Sequence, residues 1–316
     1  MKILQENLTG SFGCEVEIDF QNFNPKEFIT LLQKKLIVIT HLPLADTGLE
    51  NAKRLYNFIN QFGVLNTFQT PEGYMLKPTA MNYKNSKNET IYRGIEKVAR
   101  SKKPNGKFEG NAAGLANILN WHSDEMATQD AYEYTSLQGI KNSYPSVTQC
   151  CQTVDFFSNL DAQTKNWLRT LKVIWDPSKI TKNGSLEEME GRSLDIKWGI
   201  NDKISPTPIE RKVKIKKLIQ KNAIGIEGIY FSPSQCPGIE GMSDVEFEEF
   251  KKNFIEPILN GSFIYNCEWQ DGKFLIMDNK LTLHRRTGKS GNVKELSNKY
   301  LETRLLHKAE FNSKVI

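Results

Sequence analysis

FIYNCEWQDGKFLIMDNKLTLHRR, residues 263–286, reads as two or three short strands with a turn at Asp271-Gly272. Its apolar run FLIM and the following LTL are long enough to carry the chain through an interior, and they deliver His284 at their end. Further strand signals lie on both sides. GCEVEIDF (13–20) alternates apolar and polar residues, LIVIT (36–40) is β-branched, LQGI and SVTQCCQTV flank residue 140, IGIEGIYFSP occupies 224–233 and TRLLHKAEF 303–311. Helices are fewer. Asn24-Pro25-x-Glu27 opens one, with Phe28, Leu31, Leu32 and Leu36 as its stripe; a second covers about 49–61 with Gly63 as a C-cap; DFFSNLDAQTKNWLRTL (155–171) reads as a third; Ser243-x-x-Glu246 is a capping box for a fourth. Many short strands with a few helices, and no Gly-rich phosphate loop after a strand, argue against a doubly wound nucleotide fold. The expected class is mainly β with flanking helices (α+β), a β-sandwich or jelly roll with helices packed outside.

The chain of 316 residues is expected to form a single domain, 1–316. Two stretches, about 64–118 and 176–215, are polar and rich in Asn, Lys and Gly or scattered prolines, and read as loop or lid insertions. A net charge of +5 is spread out apart from KVKIKKLIQK (212–221), KVARSKK (97–103) and HRR (284–286), and aromatic residues do not interleave with these runs, so a solvated basic face is favoured over nucleic-acid binding. Five cysteines, an odd number with no C-x-x-C, argue against a disulfide framework and a zinc ribbon. No apolar run has the length of a membrane span, and MKILQENLTG is not a secretory signal, which leads to the expectation of a cytoplasmic protein without membrane partners.

The chain has four histidines, and one lies in NWHSDE (120–125). If this stretch is extended, His122 and Asp124 share a face and Ser123 points away. A third ligand must come from His41, His284 or His307, and His284 is favoured because apolar strands lead it inward. Two histidines and one carboxylate form the facial triad of non-haem Fe(II) oxygenases, but a zinc hydrolase can use the same set.

NWHSDE is similar to the W-H-x-D motif of the taurine dioxygenase (TauD/TfdA-like) family of Fe(II)- and 2-oxoglutarate-dependent oxygenases. WQDGKFLIMDNKLTLHRRTG (269–288) resembles that family's D-N-x-x-x-x-H segment, RLLHKAEF (304–311) its closing R-x-x-x-R strand, and the strand–helix–strand–helix start its opening. LNWHS, IYFSP, MDNKLTLH and RLLHKAEF look most like uncharacterised phage and marine bacterial members. The resemblance implies a double-stranded β-helix (jelly roll) with added helices, and His122, Asp124 and His284 as iron ligands, with 2-oxoglutarate and O₂ as cosubstrates. It implies Arg304 as the fork for the far carboxylate of 2-oxoglutarate. The family's threonine partner of that carboxylate aligns with Thr148, with Cys151 as the alternative in a shifted register. Lys308 replaces the family's second arginine, which places it as a binder of an anionic substrate group or as a solvent-facing residue. Glu125 and Met126, following the carboxylate, are candidates for the substrate pocket.

The activity implied is hydroxylation of a C–H bond in a small molecule, anionic or amino-acid-like, with release of succinate and CO₂. Desaturation on the same scaffold and a non-catalytic metal- and 2-oxoglutarate-binding module are the alternatives. Asp124 counts against the halogenating branch, where the carboxylate is replaced by Gly or Ala. Asp278-Asn279 reads as a turn and brace before His284, Trp121 as packing, His41 as a loop residue, His307 as facing away from the cosubstrate, and Arg285 and Arg286 as facing solvent or closing the rim.

Overall fold

Alternation along each strand decides which side chains meet inside the molecule. The computed structural model describes residues 1–65, 82–84, 87, 90–102, 108–110, 119–124, 132–142, 146–175, 213–233, 236–261, 263–288 and 304–314. The larger sheet runs in the order β1 (Lys2–Thr9), β2 (Phe12–Glu17), β3 (Ile37–His41), β17 (Lys273–Asp278), β9 (Tyr134–Asn142), β19 (Arg304–Ser313), β6 (Thr90–Lys102) and β5 (Asn82–Lys84). Two short strands, β4 (Gly63–Leu65) and β7 (Phe108–Gly110), pair with β19 and β6. The smaller sheet is β16 (Ile264–Glu268), β10 (Ser146–Gln152), β18 (Thr282–Gly288) and β8 (Leu119–His122). β11 (Lys172–Trp175) lies between β12 (Lys214–Lys217) and β15 (Gly238–Ile239), and β13 (Ile219–Lys221) pairs with β14 (Glu227–Ile229).

The two main sheets face each other as a jelly roll. Ile37, Ile39, Leu137, Leu275, Met277, Leu306 and Val98 of the larger sheet meet Cys150 and Cys267 of the smaller one and Trp269, just past the end of β16. The outer face of the larger sheet, with Val38, Phe274, Ile276, Ala309 and Phe311, is covered by Phe28 and Leu32 of α1 (Pro25–Lys35) and Leu55 and Phe58 of α2 (Gly48–Ile59). The outer face of the smaller sheet buries Trp121, Cys151 and Leu283 against Phe157, Leu168, Phe247 and Phe250 of three further helices. At about 25 cal/mol per Å² of apolar surface, these three layers supply the main stabilising term.

Local signals hold where a side chain satisfies the backbone. Asn24 Oδ1 accepts from the amides of Lys26 and Glu27, and Ser243 and Glu246 form the complete capping box. All five cysteines are free and buried.

Three expectations are corrected. Thr90–Lys102, inside the stretch read as a loop and including the basic KVARSK run, is a long strand paired with β19; Ile95 and Val98, three apart, anchor its two faces in the outer and inner cores. The stretch 155–171 is two helices, Val154–Ser158 and Ala162–Thr170, because Asp161 caps the second through Thr164. Gly63 is not a helix cap: α2 ends at Ile59, and Gly63 opens β4, where a Cβ would meet the Phe311 ring at 2.5 Å. The rest of 64–118, except the short strands, and 176–212 of the second predicted insertion lie outside the described residues.

The turn between β17 and β18 is closed by Asp278, whose Oδ1 accepts from the amides of Lys280 and Leu281 at 2.9 Å each. Burial raises this carboxyl from 3.8 to about 6, against the opposing pull of those two amides. The folded chain therefore binds more protons than the unfolded chain between these values, and the group's contribution to stability falls as pH rises through this window. Asp278→Asn keeps the Oδ1 acceptor and cannot ionise. It is expected to raise stability at pH 8 by about 2 kcal/mol, with the gain shrinking as pH falls toward 4. Thermal melts across that range measure it, and a gain independent of pH would exclude ionisation as the cause.

Candidate metal centre

β8 and β18 are antiparallel neighbours in the smaller sheet, and His122 stands directly opposite His284 in their register. The two imidazoles lie 4.2 Å apart between centroids, tilted by 49°. β8 ends at His122, and Asp124 sits in the turn that follows. Its carboxylate faces both rings: Oδ1 is 3.8 Å from His122 Nε2 and Oδ2 is 3.8 Å from His284 Nε2. One ligand atom from each residue lies within 4.8 Å of the other two, and no other such trio occurs among the described residues. Ser123 points away, its hydroxyl donating to the Thr282 carbonyl.

Asn279 fixes the position of Asp124. Its Oδ1 accepts from the Asp124 amide at 2.9 Å, and its Nδ2 donates to the Asp124 carbonyl at 2.9 Å and to the Tyr132 carbonyl at 3.3 Å. The brace read from Asp278-Asn279 thus divides: Asp278 builds the turn before His284, and Asn279 holds the other end of the triad.

The carboxylate itself is gripped from β9 and β19. Thr135 Oγ1 donates to Asp124 Oδ2 at 2.6 Å, and Lys308 Nζ lies 2.9 Å from Asp124 Oδ1. Lys308 Nζ also lies 2.8 Å from Glu310 Oε1. Burial alone would raise the Asp124 carboxyl, but Lys308, the two imidazoles and the Thr135 hydroxyl together hold it far below the usual carboxylate range. Burial, reinforced by His122, pushes the His284 ring down to about 3 against the pull of Asp124. Near neutral pH the cluster offers an anionic carboxylate and a neutral imidazole from His284, the states in which these side chains bind metals.

Further along the same inner face, Thr148 lies opposite Arg286 and Cys150 opposite His284. Thr148 Oγ1 accepts from Trp269 Nε1 at 2.9 Å, which leaves its hydroxyl proton for another acceptor. Arg286 is only 4 % exposed, so the expectation of a solvent-facing or rim arginine is corrected: an offset of two from His284 turns it inward. Arg285 faces the other way, over the Trp121 ring at 4.6 Å and bonded to Gln149. Cys151 belongs to the outer core with Leu283, so strand parity sets it apart from Thr148. His307 is buried and alternates in direction with Lys308, and His41, which bonds the Asp271 carbonyl, is not part of the cluster. The backbone of Arg304 opens β19, but its side chain, like all of Glu125 and Met126, lies outside the described residues.

A family model for taurine catabolism dioxygenases matches residues 5–298. The chain belongs to the TauD, TfdA family. It is therefore a 2-oxoglutarate-dependent non-haem iron dioxygenase. Solved structures with the same fold include an alpha-ketoglutarate-dependent taurine dioxygenase candidate from Burkholderia xenovorans, 16% identical, with a TM-score of 0.65 over 100% of this chain and 91% of that one. Another is AAD-2 in complex with Mn(II) and N-oxalylglycine, 16% identical, with a TM-score of 0.64 over 100% of this chain and 98% of that one. PvcB, an oxygenase from an isonitrile synthetic pathway, is 11% identical with a TM-score of 0.58 over 95% of this chain and 85% of that one. No curated protein matches the chain in sequence. No helix among the described residues is long and apolar enough to cross a membrane.

The donor set fits this family's metal. Two histidines and a carboxylate on one side of an ion leave open positions for a chelating cosubstrate and O₂, as in a facial triad. The three residues that sequence reading grouped lie together here; Thr135, Arg286 and Glu310 were not among its site residues. For the last two a signal was present, since an even offset from His284 and from Lys308 turns each toward the same interior.

Proposed function

We propose that His122, Asp124 and His284 hold Fe(II), and that the protein uses 2-oxoglutarate and O₂ to hydroxylate a C–H bond of a small molecule. The observation that carries this reading is the convergence of the three side chains, from two strands and a turn, on one point of the buried inner face. When bound, iron with 2-oxoglutarate supplies the oxidising chemistry, with succinate and CO₂ as coproducts. The chain's own residues do the rest. Thr135 holds the Asp124 carboxylate and Asn279 its backbone, and Leu137 and Met277 exclude water from the inner face. Asp124 keeps a third protein ligand on the metal, which favours hydroxylation over halide transfer.

For the far carboxylate of 2-oxoglutarate, the reading uses Thr148 together with a guanidinium. Arg304 is the arginine the family motif indicates, and Arg286 is the one standing in register opposite Thr148. A fork of two charge-assisted bonds suits a buried carboxylate. Arg304→Met is expected to weaken 2-oxoglutarate binding by about 100-fold, worth nearly 3 kcal/mol, and Thr148→Val by several-fold. Binding of 2-oxobutanoate, which lacks that carboxylate, should change little in either variant. Titrations of the Mn(II) protein measure both ligands; equal losses for both would mean that neither residue meets the distal carboxylate.

The test of the whole reading is spectroscopic and chemical. Anaerobic protein with Fe(II) is expected to develop a weak visible charge-transfer band on addition of 2-oxoglutarate, and to form succinate on exposure to O₂. A screen of amino acids and acidic metabolites for stimulated succinate release then identifies the substrate. Absence of both the band and succinate defeats the proposal, and a band without succinate under any substrate points to a binding module.

A further inference from the structure

Lys308 stands where the family's closing motif has its second arginine, the position from which an anionic substrate group would be received. Its surroundings suit another task. Lys308 and Glu310 are two apart on β19 and share the inner face. Glu310 is fully buried, while Lys308 Nζ lies 2.8 Å from Glu310 Oε1 and 2.9 Å from Asp124 Oδ1. The ammonium therefore bridges a ligand carboxylate and a second carboxylate set deeper in the sandwich. Thr135, on the neighbouring strand and opposite Glu310, takes the other Asp124 oxygen.

Resting on the iron site proposed above, we infer that Lys308 and Glu310 act as one charge-neutral unit that positions Asp124, and that Lys308 is a positioning residue rather than the receptor of a substrate anion. A dication held by the triad has the Lys308 ammonium as a close neighbour, and like charges at such distances repel. Glu310 offsets that repulsion while it keeps the ammonium turned to Asp124. The Lys308 ammonium is then engaged within the protein by two carboxylates, so the substrate group that reaches this part of the pocket is uncharged rather than carboxylate, sulfonate or phosphate. An arginine at this position would present further donors to a ligand; the single ammonium of lysine is a compact point charge already shared between two carboxylates.

The test uses the full chain, freed of metal with a chelator and titrated with Mn(II) alone. Glu310→Gln leaves the ammonium beside the triad without its offsetting charge, and the Mn(II) dissociation constant is expected to rise about 10-fold. In a Lys308→Met background the same Glu310→Gln change should alter Mn(II) affinity less than about twofold, because the charge that Glu310 offsets is gone. Lys308→Met/Glu310→Met, which removes the pair together, should fold and bind Mn(II) more tightly than Glu310→Gln; this variant decides the matter if Glu310→Gln alone does not fold. Added sulfate should leave the electron paramagnetic resonance spectrum of the wild-type Mn(II) protein unchanged. The inference is overturned by a folded Glu310→Gln protein with wild-type Mn(II) affinity, by equal effects of that change in both backgrounds, or by a sulfate-induced spectral change that Lys308→Met abolishes. None of these outcomes touches the iron-site proposal, which fails separately if the wild-type protein binds no Mn(II).

Discussion

Asp124→Ala is expected to reduce 2-oxoglutarate turnover to background and to abolish the Fe(II)–2-oxoglutarate band, while the protein stays folded. The side chain is the one anionic donor of the triad, buried between two imidazoles. Its removal leaves two imidazoles and no anionic donor, so the site holds a dication far more weakly. Stability should change little, because the bonds that secure residue 124 run through its backbone to Asn279 and survive the substitution. Thr135 loses an acceptor, but the ion pair of Lys308 with Glu310 remains. Spectroscopy for the band, a succinate assay and a thermal melt read the three quantities separately. A variant that still forms the band would remove Asp124 from the ligand set.

Asn279→Ala is expected to be the most damaging substitution outside the triad. The side chain is 1 % exposed and makes three hydrogen bonds, to the amide and carbonyl of Asp124 and to the Tyr132 carbonyl. Each buried polar group left without a partner costs about 1–3 kcal/mol, so a loss of about 3–5 kcal/mol is expected. The turn carrying Asp124 would also lose its register with His122 and His284, and a loss of 10–100-fold in metal affinity follows from releasing a ligand in this way. Asn279→Asp separates the two roles: it retains the acceptor for the Asp124 amide but loses both donors and faces two carbonyl oxygens. It should therefore be nearly as unstable as the alanine variant. Denaturant unfolding and Mn(II) titration check both numbers; a near-wild-type Asn279→Asp protein would mean that the amide bond alone carries the effect.

Strands and caps with a local cause were legible in the chain. LIVIT is a strand because β-branched residues pack well in a pleated, buried surface, and Asn24 and Ser243 cap helices because their side chains reach the first free amides. The loop reading of residues 90–102 failed for a non-local reason. A strand this polar is held by pairing with β19, which lies more than 200 residues further along the chain, and no window around KVARSKK contains that partner. Gly63 failed similarly, since its reason is the Phe311 ring.

The sequence by itself determined the chemistry available to this protein: two histidines and an aspartate in the order and spacing of an iron-oxygenase motif, and a strand-rich pattern able to bury them. Only the tertiary structure decided which side chains share the interior with them. Strand register turns Arg286 inward beside Thr148, leaves Cys151 on the outer face, sends Asn279 to Asp124 and sets Lys308 between two carboxylates. The physical reason is the two-residue period of a strand: parity can be read from one segment, but the face that becomes the inside is chosen by the sheet that packs against it.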